Sequence, residues 1–232
     1  MKLPSGYHEL EYIQSTGTQY IDTGFKPNQD TRVIIDSEVL STTTDGTCIF
    51  GARVSYNNTA FSSWSTTTQI YTDYGSNYQF ATFDCYKRFI IDKNKNVQTT
   101  NDVSITLASA TFQSAQNAYI FAVNSSGPKY YSTIKLYSLK LYNNGTLIRD
   151  YIPCINSGGY IGLYDIVNNM FYSNAGTGVF IAGPIIKTLN LPVNVGGIWK
   201  DCGDVFVNVG GIWKTVDTAY VNINGTWKEI SA

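Results

Sequence analysis

"STIKLYSLKLY" (132–142), then Asn143-Asn144-Gly145, then "TLIRDYIPCIN" (146–156) is the stretch on which the fold class turns. Both flanks alternate apolar and polar residues with period two, which puts successive side chains on opposite faces of an extended strand. Asn-Gly supplies the positive φ angles of a type I′ turn, whose twist matches the strands it joins. The stretch therefore reads as an antiparallel hairpin. "GLYDIVNNMFYSNAG" (162–176) repeats the design, with Asn168-Asn169 at the bend. Upstream, "TRVIIDSEVL" (31–40) sets Val33, Ile35, Ser37 and Val39 against Ile34, Asp36, Glu38 and Leu40, a buried strand with one wetter end. "YKRFIID", "KNKN" and "VQTT" (86–100) read as a strand, a polar turn and a returning strand. "AYIFAV" (118–123) reads as a short strand, apolar on both sides, at a sandwich centre. Many short strands with turns between them and no helical period predict an all-β, antiparallel β-sandwich.

Composition narrows the function classes. Sixteen basic residues face 17 acidic ones for a net charge of −1, so the chain has no electrostatic footprint for nucleic acid or an anionic membrane. Charged residues make up 14%, against roughly 25% in an average globular protein. Ser, Thr, Asn, Gln and 18 Tyr supply the polar share instead, which suits wet but uncharged sheet faces. Cys48, Cys85, Cys154 and Cys202 are widely spaced and the chain has one histidine; zinc needs clustered ligands, and a core this large needs no disulfide staples. All four thiols are expected unpaired. "MKLPSGYHELEY" lacks the apolar segment of a signal peptide and nothing reaches the length of a membrane-spanning helix. A start at Met1, cytoplasmic synthesis and no membrane insertion are expected. Sequons at Asn57, Asn124, Asn144 and Asn224 read as turn chemistry.

The pattern changes after Gly183-Pro184, and "IIKTLNLP" reads as an extended linker. "VNVGGIWK" then stands at 193–200 and again at 207–214, with "VNINGTWK" at 221–228. Trp199, Trp213 and Trp227 mark a period of 14 residues. Gly196-Gly197, Gly210-Gly211 and Asn224-Gly225 occupy two-residue type I′ loops, so that Val195 faces Ile198, Asn194 faces Trp199 and Val193 faces Lys200. Valine and isoleucine fall on one face, asparagine and tryptophan on the other. The expected division is a sandwich over 1–186 and three 14-residue hairpin repeats over 187–232.

The opening "LPSGYHELEYIQSTGTQYIDTGFKPNQDTRV", with "IFGAR" (49–53), "IYTDYGS" (70–76), "KLYSLKLYNNGTLIRDYIPC" (135–154) and "GLYDIVNNMFYSNAGTGVFIAGP" (162–184) in that order, resembles concanavalin A-like, laminin G-like jelly-roll modules. Such modules occur in bacteriophage tail and gut-bacterial surface proteins. The terminal octapeptides resemble repeats that end some phage tail and baseplate proteins. The resemblance spans residues 3–184 and implies a two-sheet jelly roll, often glycan-binding, with no agreed catalytic set. It further implies a virion or bacterial-surface location. A phage or prophage tail-associated receptor-binding or decoration protein is the first expectation. A purely structural virion or surface protein that binds no sugar is the second.

Candidate residues follow from chemistry. Glycosidases of this general fold carry E-x-D-x-x-E on one strand, a run absent here; Glu9-x-Glu11 is the nearest approach. That pair belongs to the opening signature, and His8 has no nucleophile motif to serve. A glycan hydrolase is disfavoured, and no catalytic residue is assigned. A structural calcium ion is the one cofactor the resemblance raises; "TDYGSN" (72–77) and "NNTA" (57–60) offer oxygens without a calcium-loop signature. Glycans are bound by exposed aromatics beside planar amides and carboxylates. The densest such stretch, "SSWSTTTQIYTDYGSNYQF" (62–80), nominates Trp64, Gln69, Tyr71, Asp73, Tyr74, Asn77 and Tyr78 for a host cell-surface glycan. With Ile70 inward, Gln69, Tyr71 and Asp73 share the outer face. The repeats cannot bury both faces alone. They are therefore expected to pack on the sandwich, on other subunits (a trimer, for example), or on another virion protein. Val195, Ile198, Trp199, Val209, Ile212, Trp213, Ile223 and Trp227 would form that surface.

Overall fold

The computed structural model describes residues 3–43, 46–55, 59–186, 192–201, 206–216 and 219–230. The chain divides into two compact units, Met1–Pro184 and Ile185–Ala232. The described residues contain strands and turns and no helix.

In the first unit the strands are β1 (Tyr7–Glu9), β2 (Ile13–Gln14), β3 (Ile21–Asp22), β4 (Thr31–Ser41), β5 (Thr47–Ala52) and β6 (Ala60–Ser65). Next come β7 (Gln69–Gly75), β8 (Asn77–Thr82), β9 (Phe89–Asn94), β10 (Val97–Thr100), β11 (Val103–Thr106) and β12 (Tyr119–Ile120). Then follow β13 (Val123–Asn124), β14 (Pro128–Lys129), β15 (Thr133–Asn143), β16 (Thr146–Asn156), β17 (Ile161–Asp165), β18 (Met170–Ser173) and β19 (Ile181–Ala182). Sheet one runs β11-β10-β9-β4-β15-β16-β17-β18, with β1 on β16, β2 on β15 and β19 on β2. Sheet two runs β14-β13-β5-β6-β7-β8, with β12 on β5 and β3 on β12. Pairing is antiparallel except between β13 and β5.

The two sheets form a β-sandwich around one core. Val33, Ile35 and Val39 of β4, Phe89 and Ile91 of β9, and Leu139 and Leu141 of β15 come from sheet one. Phe50, Phe61, Ile70 and Tyr74 come from sheet two. Each large side chain so buried contributes about 1.5–3 kcal/mol relative to exposure. β4 alternates buried and wetter residues along its length, since one face meets that core. β15 and β16 pair Asn143 with Thr146 across Asn144 (φ 49°) and Gly145 (φ 78°), the two-residue turn that Asn-Gly favours.

Two elements differ from the sequence reading. Residues 118–123 are not one strand: β12 lies antiparallel to β5 and β13 parallel to it, and the chain reverses at Phe121 (φ 71°). All six residues except Tyr119 are fully buried, so apolarity on both sides marks a buried crossing here. β9 also extends through Lys93 and Asn94, leaving Lys95 (φ 55°) and Asn96 as the turn.

Lys93 consequently lies inside the sandwich, fully buried. Its ammonium donates to the Ser62 carbonyl (2.9 Å), Thr72 Oγ1 (2.6 Å) and the Asp73 carbonyl (2.5 Å), all on sheet two. Three N–H groups meet three acceptors, and the Phe61 ring centroid lies 4.5 Å away. Ser63 Oγ donates to Gln98 Oε1 at 2.7 Å in the same interior. Burial pushes the Lys93 amine down to about 7, against the field of Asp73.

Cys48, Cys85 and Cys154 are buried and unpaired, and burial pushes Cys85 and Cys154 up to about 12; Cys202 lies outside the described residues. Of the sequons, Asn144 and Asn224 occupy left-handed turn positions. Asn124 is buried in β13, and Asn57 lies outside the described residues.

The second unit holds β20 (Pro192–Val195), β21 (Ile198–Asp201), β22 (Phe206–Val209), β23 (Ile212–Thr215), β24 (Ala219–Ile223) and β25 (Thr226–Ile230). They pair as three separate antiparallel hairpins, with Val195 opposite Ile198, Val209 opposite Ile212 and Ile223 opposite Thr226. The repeated asparagine has a local task. Asn194, Asn208 and Asn222 each accept the N–H of the second turn residue, a glycine in every copy, at 2.8, 2.9 and 2.9 Å. The linker reading of 185–192 falls partly outside the described residues.

Candidate functional site

Strand register lays out the surface of sheet two that faces away from the core. One lateral row reads Asp22, Tyr119, Gly51, Ser62, Asp73, Tyr78 across β3, β12, β5, β6, β7 and β8. The next reads Cys48, Trp64, Tyr71, Phe80. Because side chains alternate, Phe50, Phe61, Ile70 and Tyr74 point the other way, into the core.

Trp64 is the pillar of this face. It is 7% exposed, and its indole N–H donates to Ser62 Oγ (2.7 Å) and Asp73 Oδ2 (2.8 Å). Ser62 Oγ in turn donates to Asp73 Oδ2 at 2.5 Å. Tyr130 meets the indole edge-on at 5.3 Å, and the Arg53 guanidinium carbon lies 4.8 Å from the Trp64 ring centroid and 5.1 Å from that of Tyr130. Beyond the pillar, Tyr71 packs on Phe80 at 5.3 Å and its hydroxyl donates to Gln69 Oε1 at 2.5 Å. Tyr78, Phe80 and Tyr130 stay open, at 43%, 51% and 43% exposure. An aromatic surface bordered by an amide, a carboxylate and a guanidinium suits ligands with apolar faces and hydroxyl edges.

Of the nominated residues, Trp64, Gln69, Tyr71, Asp73 and Tyr78 come together here. Two roles need correction. Tyr74 shares its parity with Ile70 and Thr72 and faces inward, its hydroxyl donating to the Gln29 carbonyl at 2.8 Å and its ring 5.0 Å from Phe112; burial raises its pKa. Trp64 is covered by Arg53 and Tyr130, so it supports the face and does not offer an open stacking ring. Asn77 begins the rim strand β8, its amide donating at 3.4 Å to the Tyr74 and Ala108 carbonyls. Arg53, Phe80 and Tyr130 join the face without being among the residues that the sequence pattern nominates. Tyr130 is brought in through the Cys48 N–H to Tyr130 carbonyl bond, a pairing with no local sequence signal.

Glu9 and Glu11 do not share a strand. β1 ends at Glu9, and the Glu11 N–H donates to the Pro184 carbonyl; burial raises the Glu9 pKa. At 72–77 the oxygens do not converge on a cation. The Asp73 carboxylate accepts from Ser62 and Trp64, while Thr72 and the Asp73 carbonyl accept from the Lys93 amine. Among the described residues no three His, Cys, Asp or Glu side chains cluster for a metal; of the 57–60 stretch, Asn57 and Asn58 lie outside them.

In the repeats, Val195, Ile198, Val209, Ile212, Trp213, Ile223 and Trp227 are exposed. The expectation for the Trp199 side chain lies outside the described residues. Compared with known proteins, the chain matches no family model and no curated sequence.

Proposed function

We propose that the chain is a receptor-binding or decoration protein of a phage or prophage tail, or of a bacterial surface. In this reading the sandwich is a concanavalin A-like jelly roll that binds a host cell-surface glycan on the outer face of sheet two. The observation that carries it is the open aromatic set Tyr78, Phe80 and Tyr130 around the half-buried Tyr71, with Gln69 and Asp73 alongside. Sugars present C–H faces that stack on such rings and hydroxyls that bond to amide and carboxylate edges. The terminal repeats act as the assembly region, because isolated hairpins with exposed valine, isoleucine and tryptophan leave apolar surface that association would cover. No catalytic step is assigned.

A glycan array probed with the full chain tests the reading. Retention of a defined sugar class, lost on Tyr78→Ala or Phe80→Ala, is the expected result. Silence across neutral and acidic glycans would reject it in favour of a purely structural role.

A further inference from the structure

Arginines stand at 32, 53, 88 and 149 of this chain. Arg32 forms a two-pronged pair with Asp92 at 2.8 and 2.6 Å. Arg88 does the same with Asp36 at 2.9 and 2.8 Å, and Arg149 lies 3.5 Å from Asp165. Arg53 breaks the pattern. Among the described residues no carboxylate lies within ion-pair distance of it, and its Nε, like that of Arg149, is buried without a hydrogen-bond partner. The Asp73 carboxylate accepts from both Ser62 and Trp64 through one oxygen, Oδ2.

What holds the guanidinium is aromatic: the Trp64 and Tyr130 rings, at 4.8 and 5.1 Å. A cation on aromatic faces is attracted without being neutralised, and a planar fork fixed in this way is ready to take a planar or tetrahedral anion. Gly51 and Ser62 are neighbours in the lateral row, and a Cβ added at Gly51 would sit 2.2 Å from Ser62 Cβ. Only glycine fits there, because Ser62 already fills the space beside it.

We infer that the glycan taken by this face is anionic, its carboxylate, phosphate or sulfate paired with Arg53 while a ring stacks on Tyr130. The inference rests on the glycan-binding reading above and adds the charge class of the ligand. It gives the unpaired arginine its counter-ion.

The test uses the full chain in affinity electrophoresis with four probes: polygalacturonate for carboxylate, glycerol-phosphate teichoic acid for phosphate, dextran sulfate for sulfate, and neutral dextran. The expected result is retardation by at least one acidic polymer, fading as salt is raised, with dextran inert; the retarding polymer identifies the anion. Arg53→Met keeps an apolar stem between the rings and should lose about tenfold or more of that affinity, because a charge-assisted pair is removed. Arg53→Lys should fall between the two. Retardation by neutral dextran alone, or unchanged retardation of Arg53→Met, would overturn the inference and leave glycan binding standing. No retardation by these polymers together with a silent array would remove both. If Arg53→Met fails to fold, the salt dependence of the wild type and the Arg53→Lys variant decide.

Discussion

Replacing Lys93 with methionine probes the interior of the sandwich through its pH dependence. The amine is fully buried and pushed down to about 7 from 10.5, and each tenfold change in an acid dissociation constant corresponds to about 1.4 kcal/mol. The full displacement is worth on the order of 5 kcal/mol between the acid and alkaline limits. The sign follows from proton counting. Below the folded pKa both states carry the proton and stability is flat at its lower level. Between the folded and unfolded values the unfolded chain holds a proton that the folded chain has released, so stability rises with pH. From about pH 6 to about pH 8.5 the gain is about 2 kcal/mol.

That window is also the cleanest one. At higher pH the half-buried Tyr137 hydroxyl and the buried Cys85 and Cys154 thiols, each pushed up to about 12, act with the opposite sign. They ionise first in the unfolded chain and lower stability as pH rises. Urea unfolding followed by far-ultraviolet circular dichroism, at half-unit steps across the window, measures the slope for wild type and Lys93→Met. Methionine leaves three acceptors without their donor, a cost of about 1–3 kcal/mol for each one left unsatisfied. It also removes the burial of a charge. The first effect is nearly constant across the window and the second changes only with the protonation of Lys93, so the difference in slope isolates the titration. Wild type should gain stability with pH while the variant stays flat. Parallel curves would mean that three short hydrogen bonds hold the ammonium charged, and the depressed pKa would be wrong.

Three further outcomes are expected. Tyr78→Ala and Phe80→Ala should weaken glycan binding by about 1–3 kcal/mol each, by analogy with base stacking, with little change in melting temperature, whereas Trp64→Ala should cost about 3–5 kcal/mol of stability; isothermal titration and thermal unfolding separate the two. Alkylation of denatured protein without reductant should modify all four cysteines, while native Cys48, Cys85 and Cys154 should react slowly because burial raises each thiol pKa; peptide mass mapping reads both. Cutting after Lys187 should leave a folded, monomeric sandwich while the full chain associates, as light scattering on both would show; a monomeric full chain would end the self-assembly proposal.

The readable and the unreadable parts of this molecule divide along one physical line. The alternation in 31–40 is legible because a strand with one buried face imprints that face on its own sequence. The same rule carries Gln69, Tyr71 and Asp73 outward, and applied one step further it turns Tyr74 inward. Lys93 reads as a turn residue because its three acceptors belong to β6 and β7, so nothing within a few residues of it announces a buried site. Residues 118–123 mislead for a related reason. Apolarity on both sides reports burial, not direction, and the reversal at Phe121 is imposed by β5. The Arg53, Trp64 and Tyr130 group is hidden most completely, since register across β5, β6 and the β14–β15 segment assembles it from separated parts of the chain. The terminal octapeptides lie at the other extreme. Their glycine-rich turns and the asparagine that accepts from the second turn residue are closed within each copy, so every copy states its hairpin in full. What one copy cannot state is a partner for its exposed valine and isoleucine. On the assembly reading proposed above, association covers that thrice-written surface, and the Lys187 truncation measures whether it does.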